Sequence, residues 1–248
     1  MAINFPTSLD NFTNPSSGNT LDSPSHSLQH SDINDAVEAM QRKVGVGTAV
    51  AGSASAGQVL TISAAGTSTW STPTPGGLVQ IVPTSVAVTG GSGSVDANGA
   101  VTFSGVSTIS VNGCFNSTYQ NYKILIDLPT VTGTVNLRLR ASNADNTTSN
   151  YKYALSGATT FVTATAYAFT SSADASWSYL SEAAPTAITM DISDPNLAQR
   201  TFGNGLITQS DRARNYGGIF NDNAVFDGFS LLVGTSMTGT IRVYGYKN

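Results

Sequence analysis

From Leu78 to the C-terminus, apolar residues recur at every second position in short runs separated by turn-forming residues, and this pattern restricts the fold more than any other feature of the chain. Val135, Leu137 and Leu139 alternate with Asn136, Arg138 and Arg140; Ile188, Met190 and Ile192 alternate with Thr189 and Asp191. Ile241, Val243 and residues 244–246 follow a Thr238-Gly239 turn. Successive side chains of a strand point to opposite faces, so each run predicts a strand with one face inward and one toward water. Residues 122–128 and 229–233 are more continuously apolar, the pattern of central strands in a two-layer core. The expectation is a mainly β protein, with an antiparallel β-sandwich or jelly-roll head over residues 78–248.

Composition points the same way. Charged residues make up 10% of the 248-residue chain, against about 25% in ordinary globular proteins. Its polarity comes from Ser, Thr and Asn, which favour strands and turns over helix interiors. A net charge of −4 and scattered Lys and Arg argue against a nucleic-acid partner. No apolar stretch approaches the roughly 20 residues needed to cross a bilayer, so no membrane insertion is expected. The opening residues have no basic, then apolar, signal, so synthesis in the host cytoplasm without export is expected. Cys114 stands alone between Gly113 and Phe115 and reads as a small packing residue.

Upstream of the head the pattern changes. Residues 1–31 have isolated apolar side chains, among them Phe5, Leu9 and Phe12, and cannot build a core of their own. They read either as a floppy tail or as an attachment peptide that lays Phe5, Leu9 and Phe12 into grooves on a partner. A helix is predicted over 32–45, capped by Ser31 or Asp32, with Asp35 and Glu38 early and Arg42 and Lys43 late. Its apolar residues Ile33, Val37, Met40 and Val44 are spaced four, three, four, which makes a short heptad seam. Either a coiled-coil neck between copies or the β-domain of the same chain would cover it; the spacing does not choose between two and three chains. Residues 46–77 form a Gly/Ser/Thr-rich spacer, with brief strands at 58–63 and 69–72 around Ala65-Gly66. Trp70 is expected to pack on a neighbouring chain or on the next domain.

Two stretches resemble phage virion proteins. Phe5-Pro-Thr-Ser-Leu-Asp, then Leu21-Asp-Ser-Pro-Ser-His and His30-Ser-Asp-Ile-Asn-Asp-Ala-Val-Glu-Ala, is similar to the N-terminal attachment segment of many phage tail-fibre and minor tail proteins. Gly57-Gln-Val-Leu-Thr with Gly66-Thr-Ser-Thr-Trp70 resembles the neck elements that precede distal fibre domains. More loosely, Tyr119-Gln-Asn-Tyr122, Leu137-Arg-Leu-Arg140 and Gly239-Thr-Ile-Arg-Val-Tyr-Gly-Tyr246 resemble fibre-tip packing patterns. The resemblance implies a homotrimeric structural subunit of a virion appendage. Its N-terminus would hold a tail, baseplate or capsid protein, and its head would face the host. The alternative is a capsid-decorating fibre or cement protein without an essential ligand.

Enzymatic chemistry has little to stand on. His26 and His30 are four apart but precede the expected helix cap, and no third ligand has matching spacing, so neither metal nor cofactor is expected. Asp191 and Asp194 could be imagined as a glycan-cleaving pair, but alternation and Pro195 give both a strand-end role. The aromatic residues Tyr151, Tyr153, Trp177 and Tyr179 lie among Ser, Thr and Asn, a setting that suits a host-surface glycan or protein. They are the candidate receptor-binding residues, with the segments 142–150 and 170–176 as candidate loops, and about half of them are expected to belong to a core or an interface.

Overall fold

The computed structural model describes residues 17, 26–44, 54–63, 65–73, 76–158, 166–182 and 184–247. The chain divides into two compact units, Met1–Thr74 and Pro75–Asn248. In the first, helix α1 (His26–Val44) is followed by an antiparallel hairpin of β1 (Val59–Ile62) and β2 (Ser68–Ser71), with Leu60 opposite Trp70. Gly66 takes a positive φ of 76° and donates its N–H to the Ser63 carbonyl at 2.9 Å, so the turn needs a residue without a Cβ. The helix begins more than a turn earlier than the sequence predicts. No residue between His26 and Asp32 breaks a helix, so it propagates back toward Pro24 instead of stopping at a Ser31 or Asp32 cap. Both histidines therefore belong to the helix, and its first turn holds no acidic residue.

The described residues of the second unit contain strands and turns and no helix. Its elements are β3 (Gly77–Ile81), β4 (Ser85–Thr89), β5 (Ser92–Val95), β6 (Val101–Asn112), β7 (Asn121–Thr132), β8 (Val135–Ala141) and β9 (Ala144–Asp145). They continue with β10 (Tyr151–Ala158), β11 (Ala166–Asp174), β12 (Trp177–Ser181), β13 (Thr186–Ser193), β14 (Gln199–Gln209), β15 (Ala213–Ala224) and β16 (Gly228–Lys247). Among the described residues these strands form one antiparallel network in the order β11-β10-β15-β14-β13-β7-β16-β6-β4. The protein is thus mainly β, with antiparallel sheet and, among the described residues, one helix.

The long strand β16 organises the network. Its residues 228–232 lie between β8 and β6, while the rest runs between β7 on one side and β6, then β3, on the other. β12 pairs with β8, and Trp177 of β12 lies against Gly203 of β14 and Gly218 of β15. The β8–β12 end of the network therefore faces β14 and β15 across the core. The buried apolar residues run from Ile81 to Val243, so within the described residues the core sits wholly in the second unit. Each fully buried Val, Leu, Ile, Phe or Met contributes about 1.5–3 kcal/mol.

The predicted alternations appear as strands. Val135, Leu137 and Leu139 are buried, as are Ile188, Met190 and Ile192. β7, one of the two more continuously apolar runs, is a central strand and still alternates: Tyr122, Ile124, Ile126 and Leu128 are inside, while Lys123 and Leu125 are half-buried. Arg140, expected to face water, is buried. Its Nε donates to Asn112 Oδ1 at 3.0 Å and its Nη1 to Ser230 Oγ at 2.9 Å, with further bonds to Asp145 and the Asn143 carbonyl. The tight turn at Ser142 and Asn143, both at positive φ, brings Asp145 to the guanidinium. A buried charge is tolerable only when paired and hydrogen-bonded in this way.

Candidate binding face

The four aromatic residues singled out from the sequence do come together, three of them inside the core and Tyr179 half-buried against it. Trp177 and Tyr151 are fully buried and Tyr153 nearly so. Tyr151 meets Trp177 edge-on with ring centroids 5.9 Å apart, and Tyr153 stacks on Tyr216 at 5.8 Å. The Tyr151 hydroxyl accepts the Leu139 N–H at 2.9 Å and donates to the Asn146 carbonyl at 3.1 Å. Trp177 Nε1–H points at the Ile219 carbonyl, 3.4 Å away. The polar tips of Tyr151 and Trp177 are thus taken up by backbone, that of Tyr153 by the side chains of Ser178 and Asp174, and the rings by other core rings, which leaves no ring face for a ligand. Tyr179 is half-buried at a positive φ of 64°, with its ring 6.5 Å from that of Tyr153. The assignment of Tyr151, Tyr153 and Trp177 to a receptor surface is therefore corrected: they are core residues. Residues 170–174, expected in a loop, belong to β11.

The other expectations fall as follows. Phe5, Leu9 and Phe12 lie outside the described residues. On α1, Ile33 and Met40 are 61% and 64% exposed, and Val37 is half-buried; the Val44 side chain lies outside the described residues. Cys114 is buried, and desolvation pushes its thiol well above the ordinary range, as suits a packing residue. Asp191 and Asp194 do not form a carboxylate pair. Asp191 holds Lys123 Nζ at 2.9 Å and accepts the Tyr246 hydroxyl at 2.6 Å, whereas Asp194 accepts from Gln120 Nε2 at 2.7 Å. Burial alone would lower the Lys123 ammonium, but its bonds to Asp191 and Tyr246 outweigh that and raise it. Among the described residues no group of three or more His, Cys, Asp or Glu is placed to hold a metal ion, and no helix is long and apolar enough to cross a membrane.

What the molecule does present is the outer face of β13, β14, β15, β10 and β11. Strand β14 reads in reverse: the small residues Thr201 and Gly203 face inward, while Phe202 and Leu206, each 48% exposed, face out. The inversion has a steric cause. A Cβ at Gly203 would lie 3.0 Å from the Trp177 ring, and one at Gly205 would lie 2.3 Å from the Thr189 carbonyl oxygen. Here the large core residue comes from the opposite strand, so over residues 201–206 β14 turns its larger side chains outward, while Ile207 beyond them is buried in the ordinary way.

Across the strands, registered rows build a trough. Asn204, Gly217, Ala154 and Thr170 form its floor, one residue from each of four neighbouring strands. Phe202, Ile219 and Lys152 form one wall; Leu206, Asn215 and Ser156 form the other. At Gly217 an added Cβ would meet nothing within 4 Å, so the middle of the floor is open. The depression beside Phe202, lined also by Ser171 and Gly218, has a volume of about 420 Å³. At about 4.8 Å per strand, the four-strand floor spans about 14 Å. Beyond Asn204 the row continues into Asp191 and Lys123, which neutralise each other. Sequence reasoning passed over Phe202 and Gly217; the legible signal was glycine at 203 and 205 in a strand whose alternate positions are large.

The sequence matches no family model and no curated protein.

Proposed function

We propose that the chain is a non-enzymatic structural subunit of a bacteriophage particle. Residues 1–31 attach it to a tail or capsid protein, α1 joins three copies in a coiled-coil neck, and the second unit is a β-sandwich head that meets the host surface and recognises a glycan there. The observation that carries this reading is the exposure of Ile33 and Met40 on a helix whose apolar spacing is that of a coiled-coil seam. The 19 residues of α1 span about 28 Å, and most helical stability in proteins comes from packing an apolar face rather than from the helix alone. Copies of the same seam supply that packing. The head carries its own buried core, which suits a distal domain that folds independently of its neck. Several heads on one particle make each later contact intramolecular, so a shallow trough suffices where a deep pocket would otherwise be needed.

Light scattering on the full-length protein tests this. A trimer that falls to a monomer in the Ile33→Asn, Met40→Asn double variant is expected. A monomeric full-length protein would remove the self-assembled neck. In parallel, deleting residues 1–31 should prevent incorporation into particles, and unchanged incorporation would remove the attachment role.

A further inference from the structure

We propose that the trough over Gly217 and Ala154 is a binding site for a neutral saccharide, whose ring face lies against Phe202 and whose hydroxyls meet Asn204, Asn215 and Thr170. The inference rests on the reading of the second unit as a host-facing head and assigns its ligand surface. Three observations carry it. Phe202 is the exposed aromatic ring of the trough and stands beside its most open point, where Gly217 contributes no side chain. An aromatic face is electron-rich and attracts the C–H groups of a sugar's apolar side. Around it are neutral amides and hydroxyls, the groups that donate to and accept from sugar hydroxyls.

Charge selects the class of sugar. The trough has the single cation Lys152 at its rim, Asp191 is already neutralised by Lys123 at 2.9 Å, and the chain as a whole carries −4, so a polyanionic saccharide meets one positive charge in an overall negative field and gains little attraction. Backbone pairing decides against an extended peptide. β14, β15 and β10 each have a strand on both sides, so strand addition could occur only along the outer edge of β11, three strands away from Phe202, and would leave the hollow over Gly217 uncovered. The site is also built on paired strands, which hold the contacting groups in place before a ligand arrives.

The test uses labelled full-length protein on an array of immobilised neutral and anionic oligosaccharides. The wild type should bind neutral saccharides. Phe202→Ala, and Gly217→Val, which fills the floor, should each bind at least about tenfold more weakly, whereas Phe202→Trp should retain binding. Gly217→Val keeps its fold, because open space surrounds the new side chain, and an unchanged thermal midpoint checks this. Absence of neutral-saccharide binding, binding unaffected by Gly217→Val, or binding confined to anionic saccharides would each overturn the proposal. So would a change in solution mass on Gly217→Val, which would make this face a contact between copies. The fibre reading fails separately, through the mass of the wild-type protein and its incorporation into particles.

Discussion

At Gly218 the sheet has no side chain because the Trp177 indole occupies the place where one would stand. A methyl group there would lie 2.9 Å from Trp177 Nε1, and one at Gly203 would lie 3.0 Å from Trp177 Cζ3. The two glycines and the tryptophan are therefore one packing unit. Gly218→Ala should destabilise the protein by about 1–3 kcal/mol through overpacking, and Trp177→Ala by about 3–5 kcal/mol through the cavity it leaves. In a Trp177→Leu background the Gly218→Ala penalty should shrink by about 1 kcal/mol or more, because the clashing atoms are gone. A double-mutant cycle of denaturant unfolding measures this coupling, and strict additivity would contradict the packing account. The same unit explains the limits of reading residues singly. Trp177 lies among serines and an alanine, which made it look like a surface ring, while its contacts come from glycines on two other strands.

At the scale of the element, β10 and β15 bury three tyrosines side by side. Burial is the main cause that raises Tyr151, lifts Tyr153 to about 12, and holds Tyr216 well above the ordinary value of 10. The direction of the resulting pH dependence follows from proton counting. Below pH of about 10 native and unfolded tyrosines are both protonated, and the contribution of these groups is fully present. Above it the unfolded chain releases protons that the native state keeps, so stability falls as pH rises through the native values. Unfolding free energies should therefore drop steeply between about pH 10 and about pH 12, and less steeply in the Tyr153→Phe, Tyr216→Phe double variant. Equal slopes in the two proteins would place the alkaline lability elsewhere. The strands themselves were legible from period-two alternation, as at Ile188, Met190 and Ile192. The inverted strand β14 was not, because its alternation is governed by what the facing strand inserts.

At the scale of the whole molecule, the division at Thr74 and Pro75 separates a unit that buries its own core from one whose helix leaves Ile33 and Met40 exposed. Every buried apolar residue among those described belongs to the second unit. Residues 75–248 produced alone should therefore unfold cooperatively, with the same denaturant midpoint as the head transition of the full-length protein. A lower midpoint in the fragment would mean that the first unit contributes to head stability. Proteolysis of the full-length chain offers a second readout, since cleavage should concentrate before residue 75 and leave the head intact.

The sequence by itself determined the strand-rich class of the chain, the approximate place where the head begins, and the seam on α1, because each depends on local periodicity or composition. It also marked Cys114 as a packing residue, since no partner cysteine exists in the chain. Only the tertiary structure decided which aromatics are core and which are surface. Side-chain burial in a sheet depends on both the strand's own alternation and the layer opposite, and residues 177, 203 and 218 meet only after β12 has crossed to face β14 and β15. The same crossing buried Trp177 against Gly203 and Gly218, and alternation along β14 and β15 then left Phe202 and Gly217 on the outer face.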